Sequence, residues 1–256
     1  KAYTCHYNAD LGFSIVGYIG DGVNGHEIPH FLGKEPELSI WKDRDTVSGW
    51  IVQSSLFGLG DFLNLSTTGA LSNAASVNTI FSDTTISLDT DAAVNASTKN
   101  IINYNFTSIP NVCKIGTYIG TGAAGNYVDC GFKPAWVISK NLTANGEWRI
   151  LDSARTPSNV LLPNTSGAET VVGGPNDFVS DGFVIITTST HSNSLNDQYI
   201  FMAYAEGTAF DGGKTLTNYP YATTDEVLTI NSGTLMSFAE GFNAVGQVDT
   251  QELVGA

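Results

Sequence analysis

The sequence has little charge, and most of that charge is negative. Of its 256 residues 14% are charged, and 25 Asp and Glu against 11 Lys and Arg give a formal net charge of −14. An ordinary soluble domain has about 25% charged residues. Because nucleic-acid binding depends mainly on Lys and Arg neutralising phosphates, this balance excludes a general phosphate-binding surface and predicts no nucleic-acid partner.

Long apolar runs, a leader segment and a cysteine framework are also missing. The apolar runs are far shorter than the roughly 18–20 residues of a membrane helix, and the chain opens without a charged-then-apolar leader. We therefore predict neither membrane insertion nor a signal peptide. The 3 cysteines are an odd number in a long chain and do not indicate a disulfide framework. We expect buried free thiols, with a Cys113–Cys130 bridge as the alternative if two strands bring them together.

Small neutral polar residues are abundant: the chain has 22 Ser, 27 Thr and 21 Asn, together with 27 Gly. Strong helix formers are scarce, and short windows rich in aromatic and β-branched residues alternate with clusters of Asn, Gly, Asp, Ser and Pro. The clearest windows are Trp50–Val52, Trp148–Leu151, Phe183–Thr188 and Tyr199–Tyr204. This pattern predicts an all-β fold of antiparallel β-sandwiches.

The chain contains an internal repeat. Ile15–Gly22 matches Ile115–Gly122 at a shift of one hundred positions, and Asn95 matches Asn193. We therefore predict two tandem antiparallel β-sandwich-like repeats of about 100 residues each, a period too long for a solenoid. The predicted parts are residues 1–7, a first β repeat at 8–104, a second β repeat at 105–206 and a non-repeated C-terminal extension at 207–256.

Both ends of the chain carry separate predictions. Each repeat closes with an aromatic strand, and residues 1–7 resemble such a strand. We assign them to an upstream unit and expect the natural protein to continue before Lys1. In the C-terminal extension, Glu226–Ile230 predicts a strand and Leu235–Phe242 predicts a short amphipathic helix.

His26-Glu27-Ile28-Pro29-His30 has the H-E-x-x-H pattern of zinc peptidases. That chemistry needs both imidazoles on one face of a helix, one turn apart, with the Glu as general base. Pro29 falls inside the required turn, where it removes a backbone donor. The other repeat has Asn126–Cys130 at this place. We therefore predict a loop or strand here, with no metal and no cofactor.

Gly20–Gly25 and Gly120–Gly125 both have the spacing G-x-G-x-x-G. In dinucleotide-binding proteins this spacing leads into a helix whose N-terminus holds a pyrophosphate. No helical period follows either copy. The glycines are instead expected to occupy turn positions that need a positive φ.

Two carboxylate pairs, Asp43 with Asp45 and Asp89 with Asp91, have oxygen ligands suited to Ca²⁺ or to glycosidase chemistry. Solvated turns are the main interpretation of both pairs.

Five N-x-S/T sequons occur, about as many as chance gives for this composition, so they do not indicate a secreted glycoprotein. Their asparagines are Asn64, Asn95, Asn105, Asn141 and Asn164.

No residue stands out as a catalytic nucleophile or base. The chain has no G-x-S-x-G elbow, and His6 and His191 stand alone in the sequence. Asp152 and Arg155 lie three residues apart after a predicted strand, which indicates a local salt bridge, with a ligand contact as the alternative. We predict no catalytic residue.

Five segments of the second repeat resemble a repeat of marine bacteriophages, found there in tail-fibre-like and other virion proteins of uncharacterised function. They are Cys113–Gly122, Gly131–Ile138, Trp148–Arg155, Asp177–Phe183 and Tyr199–Glu206. The resemblance covers residues 105–206 well, 8–104 more loosely and the C-terminal extension hardly at all. It supplies no catalytic residue.

The resemblance implies a non-enzymatic structural protein on the virion surface, a tail fibre or surface decoration that acts in assembly or host attachment. Its expected partners are copies of itself, as a trimer, and other virion proteins. A carbohydrate-binding adhesin module is the alternative, in which Tyr118, Tyr127 and Trp148 stack on a host-surface glycan unless they belong to the core. A polysaccharide-degrading enzyme is the third hypothesis and needs two carboxylates about 5–9 Å apart in a groove.

Overall fold

Strands form most of the regular structure in residues 3–155, 159–171 and 177–206, the part of the chain that the computed structural model describes. The first half contains β1 (Tyr3–Asn8), β2 (Phe13–Ile19), β3 (His26–Pro29), β4 (Leu38–Asp43), β5 (Ile51–Gln53), β6 (Asp61–Asn64), β7 (Ser72–Asn73), β8 (Ile80–Phe81), β9 (Thr85–Leu88), α1 (Ala92–Asn95) and β10 (Asn100–Phe106). Short 3-10 turns lie at Ala9–Leu11 and Ala75–Val77. The second half contains β11 (Cys113–Ile119), β12 (Asn126–Asp129), β13 (Pro134–Asn141), β14 (Arg149–Asp152), β15 (Asn159–Val160), β16 (Thr170–Val171), β17 (Asp177–Val179), β18 (Gly182–Ile185), α2 (Thr190–Asn193) and β19 (Gln198–Ala205). Neither four-residue helix approaches the length needed to cross a membrane, and none of the described residues forms a longer one.

Each half packs a large sheet against a small one, and every described strand pair is antiparallel. In the first half the large sheet has the order β1-β2-β10-β4-β5-β6-β7 and the small one β3-β9-β8. In the second half the corresponding orders are β11-β19-β13-β14 and β12-β18-β17, with β15 and β16 as a separate pair. The prediction of an all-β, antiparallel fold is confirmed.

A hydrophobic core lies between the two sheets of each half. The first core is formed by Val16, Tyr18, Ile28, Trp41, Ile51, Ile86, Leu88, Val94 and Ile101. The second core is formed by Tyr118, Val128, Cys130, Phe132, Val137, Phe183, Ile185, Tyr199, Phe201 and Ala203. In both, alternate residues of each strand face inward, as the twofold side-chain period of a strand requires.

A third core joins the two halves through the outer faces of their large sheets. It is formed by Leu38, Val52, Leu63, Ile115, Leu142, Trp148, Ile200 and Met202. Polar contacts accompany it, because Trp148 Nε1 donates to Asn64 O (3.1 Å) and Leu71 N–H donates to Leu142 O (2.9 Å). We call this cluster the shared core, and it joins the described parts of the two halves into one packed body.

In each half, a buried asparagine side chain forms hydrogen bonds with the loop between two strands, β2 and β3 in the first half and β11 and β12 in the second. Asn95 ends α1, whose first turn is capped by Asp91, and its side chain is fully buried. Its Oδ1 accepts from Asp21 N–H (3.0 Å), and its Nδ2 donates to Val23 O (3.0 Å) and Asp89 O (2.9 Å). Asn193, which ends α2, makes the same set of bonds with Thr121 N–H (2.8 Å), Ala123 O (2.7 Å) and Thr187 O (3.0 Å).

The outer edge of β11 is partly closed by the segment that precedes it. The Ser108 hydroxyl accepts from Ile115 N–H (2.9 Å), and Ile109 exchanges two main-chain hydrogen bonds with Cys113 (3.0 and 3.1 Å). The corresponding edge of the first half, on β2, is covered by β1 from Phe13 to Tyr18.

The predictions for the chain ends have different outcomes. The strand predicted within residues 1–7 corresponds to β1 (Tyr3–Asn8), which pairs with β2 of the first half. Its assignment to an upstream unit stays a prediction. The predicted strand at Glu226–Ile230 and helix at Leu235–Phe242 lie outside the described residues.

Replacing Asn95 by Ala should destabilise the protein by about 2–4 kcal/mol, because it leaves buried main-chain groups of Val23, Asp89 and Asp21 without partners. The free energy of unfolding in urea measures this effect. The exposed Asn24 lies in the same loop and provides the control, since Asn24→Ala should change stability by less than about 0.5 kcal/mol. Equal effects of the two substitutions would contradict the role given to Asn95.

Candidate functional site

The H-E-x-x-H segment forms β3 (His26–Pro29) followed directly by His30, in agreement with the predicted loop or strand. Along this extended chain the two histidines lie about 13 Å apart, so they cannot share a metal ion. His26 Nδ1 lies 3.0 Å from Asn95 Oδ1, and His30 Nε2 lies 3.0 Å from Ser82 O. Burial lowers the pKa of His30, which favours the neutral ring. Both imidazoles therefore belong to the internal hydrogen-bond network.

The two G-x-G-x-x-G segments form the loops between β2 and β3 and between β11 and β12. Gly22 and Gly25 have φ values of 70° and 85°, and their counterparts have 68° and 94°. A Cβ on Gly120 would lie 1.9 Å from Ser194 O. These glycines serve tight turns and close backbone contacts, as predicted.

Both carboxylate pairs brace turns. Asp43 Oδ1 accepts from Asp45 N–H (2.8 Å), and Asp45 Oδ2 accepts from Asn100 N–H (2.7 Å). Asp91 Oδ1 accepts from Ala93 N–H (2.8 Å), and Asp89 Oδ1 accepts from Thr90 N–H (2.8 Å). Within the described ranges, no cluster of three or more His, Cys, Asp or Glu side chains is arranged to hold a metal ion.

Asp152 and Arg155 form the predicted local salt bridge. The distance between Arg155 NH2 and Asp152 Oδ2 is 2.6 Å. Arg155 also pairs with Glu169, at 2.7 Å between NH1 and Oε1, and Asn159 Nδ2 donates to the other Glu169 oxygen. Sequence reasoning missed Glu169, which lies fourteen residues further along the chain.

The cysteines are free thiols, so the alternative of a Cys113–Cys130 bridge is wrong. Cys113 and Cys130 are buried, as expected, and Cys5 is half-buried. Burial raises the pKa of Cys130 to about 12, with Asp129 adding to the effect. Neither buried thiol is set up as a nucleophile, because the reactive species is the thiolate.

Two of the three aromatic residues considered for sugar stacking are in the interior. Tyr118 stacks on Tyr199 with ring centroids 4.8 Å apart in the second core, and Trp148 is buried in the shared core. Neither ring has a face available for a ligand, so both are wrong as sugar-stacking candidates. Tyr127 is exposed.

Three of the five sequon asparagines are also internal. Asn95, Asn105 and Asn141 are at most 2% exposed and hydrogen-bonded. Asn64 and Asn164 are half-buried and accept main-chain hydrogen bonds. The folded protein therefore does not present the three internal sites for modification.

Lys140 is a cation buried beside the shared core. Its Nζ donates to Asn141 O (3.0 Å) and Thr68 O (3.3 Å), so it links the two halves. Burial lowers its pKa to about 8, although the Glu147 carboxylate opposes that shift. The corresponding lysine of the first half, Lys42, is partly exposed and donates to Ser48 O (2.7 Å).

A concave pocket of about 450 Å³ opens on the uncovered part of the large sheet of the first half. We call it the open-face pocket. Its floor is formed by Ile15, Gly17 and Ile102, from β2 and β10. This volume lies in the range of small-ligand sites.

Polar side chains form the rim of the open-face pocket. They come from Thr4, His6, Arg44 and Asn100. Among the described residues Arg149 is buried and Arg155 is paired with two carboxylates, so Arg44 alone of the arginines presents an exposed, unpaired guanidinium. Sequence reasoning did not select Arg44, although Leu142 stands at the corresponding place in the second half and the contrast can be read from the sequence.

The described residues define an all-β protein with one core in each half, a shared core between the halves and a pocket on the large sheet of the first half. The family model described as "Domain of unknown function (DUF7483)" matches residues 2–208, and the chain belongs to this family. No curated protein and no solved structure matches the chain.

The free energy of unfolding should rise with pH between about 8 and about 10 through Lys140. Its folded pKa of about 8 lies below the unfolded value of about 10.4, so the unfolded state binds more protons in this window. Urea unfolding should therefore show that wild type gains about 1–2 kcal/mol relative to Lys140→Met between pH 7 and 9.5. Lys42→Met is the control, and a pH-independent difference for Lys140→Met would contradict this assignment.

Proposed function

We propose that the chain is a non-enzymatic structural protein on the virion surface of a marine bacteriophage, a tail fibre or surface decoration that acts in assembly or host-surface attachment. The observation that carries this proposal is the shared core, which joins the two halves into one packed body, an arrangement that suits a structural component. The catalytic-type motifs support it too, because their side chains take part in internal hydrogen bonds. The resemblance of residues 105–206 to marine phage repeats supplies the virion context.

We also propose that the two halves are tandem β-sandwich-like repeats of about 100 residues, a period typical of a small domain or half-domain. The corresponding strand orders support this, as do the matching bonds of Asn95 and Asn193. Two tyrosine hydroxyls also make matching bonds in the two halves: Tyr18 donates to Val94 O, and Tyr118 donates to Ser192 O. A carbohydrate-binding module remains the second candidate because of the open-face pocket.

Antibodies raised against the chain should label purified particles of the phage that encodes it. Immunogold electron microscopy then places the protein on the capsid or the tail, and blots of density-purified virions give a second readout. Protein that is abundant in the infected-cell lysate but absent from purified virions would overturn the proposal. A cytosolic host protein of similar size serves as the contamination control.

Symmetric oligomers are the norm for assemblies of one chain, and a homotrimer is the symmetric assembly that we expect for a fibre. Light scattering of the purified full chain should give about three times its mass of 27.1 kDa. A concentration-independent monomer would contradict the trimer but would leave a monomeric decoration protein open to the virion-labelling experiment.

A further inference from the structure

The open-face pocket owes its shape to one missing side chain. Gly17 on β2 pairs with Thr4 on β1 and with Ile102 on β10, so the three residues form one row across the sheet. A Cβ on Gly17 would meet nothing nearer than Ile102 Cδ1 and Thr4 O, each at 4.0 Å. The row therefore has a gap at its centre, between larger side chains on both sides.

The second half lacks both features of this pocket. Thr117 stands at the position that corresponds to Gly17, and Leu142 stands where the first half has Arg44. Leu142 is buried in the shared core, whereas Arg44 is exposed at the pocket rim. Thr117 is exposed and Gly17 is half-buried. Thr117 carries a side chain where Gly17 has none, and Leu142 provides no charge at this place.

The residues of the pocket select for a particular ligand chemistry. An apolar floor complements the C–H face of a pyranose ring, and the rim groups of Thr4, His6 and Asn100 can bond its hydroxyls. A guanidinium binds a carboxylate in a planar, two-point geometry. The chain has a net charge of −14, which repels polyanions, so a ligand with one negative charge fits better than a nucleic acid or a highly phosphorylated molecule.

We propose that the open-face pocket binds a sugar that carries a single carboxylate, with the ring over Gly17 and the carboxylate on Arg44. This inference rests on the proposed role in host-surface attachment, because sugars of this class are found on cell surfaces. It names the ligand class of that attachment and the half of the protein that makes it.

Titration of the full chain with methyl β-glucuronide, followed by NMR, tests the proposal. The controls are methyl β-glucoside, which has the same ring without the carboxylate, and acetate, which has the charge without the ring. We expect the glucuronide to bind in the millimolar range, at least tenfold more tightly than either control. Resonances of Thr4, Gly17 and Ile102 should shift.

Two substitutions separate charge from shape. Arg44→Leu introduces the residue of the second half and should weaken glucuronide binding at least tenfold while leaving the weak glucoside binding unchanged. Gly17→Thr fills the gap and should abolish binding of both sugars. Threonine favours strands, so Gly17→Thr should keep the wild-type unfolding transition. Lys34→Ala removes an exposed positive charge outside the pocket and should have no effect.

Several results would overturn the proposal. These are equal binding of acetate and glucuronide, full glucuronide binding by Arg44→Leu, and no saturable glucuronide binding by wild type. Sedimentation velocity provides one more: a dimer that Gly17→Thr dissociates would identify the face as an interface between copies.

Virion labelling is independent of these results. Failure of sugar binding would therefore leave the structural proposal standing, and absence of the protein from the virion would leave measured sugar binding standing.

Discussion

Burial of both faces of β19 is the constraint on which the arrangement of residues 3–206 depends. Tyr199, Phe201 and Ala203 face the second core, and Ile200 and Met202 face the shared core. Burying a large apolar side chain contributes about 1.5–3 kcal/mol, so this one strand supports two interfaces at once. A continuous apolar run, instead of an alternating one, is the sequence consequence of that double burial.

The hydrogen-bond frame is common to both halves, while their surfaces differ. Asn95 and Asn193 fix the same loops with the same bonds. Around this frame, the first half has His30 and Arg44 where the second has Cys130 and Leu142. His30 and Cys130 are both buried, whereas Arg44 is exposed and Leu142 is packed in the shared core, so the second of these differences is the one that changes a surface.

The strands and turns were predictable from local sequence, but the shared core and the pocket were not. The windows at Trp148–Leu151 and Tyr199–Tyr204 are strands because β-branched and aromatic residues cluster there. Local patterns do not say which face of a strand meets which sheet, so Tyr118 and Trp148 could not be placed inside from periodicity alone. The pocket depends on Gly17 and on Thr4 and Ile102, which β1 and β10 bring beside it. In the sequence it is marked by the contrasts of Gly17 with Thr117 and of Arg44 with Leu142.

Ser108 opposes strand-to-strand pairing between neighbouring copies of the protein. An uncovered strand edge is a template for another chain, and copies held at high density on a surface would add strand to strand into continuous fibrils. The Ser108 hydroxyl accepts from Ile115 N–H and so removes one of the donors that such pairing needs. Association of copies through the edge of β11 is thereby disfavoured relative to side-chain contacts, which can be specific and reversible.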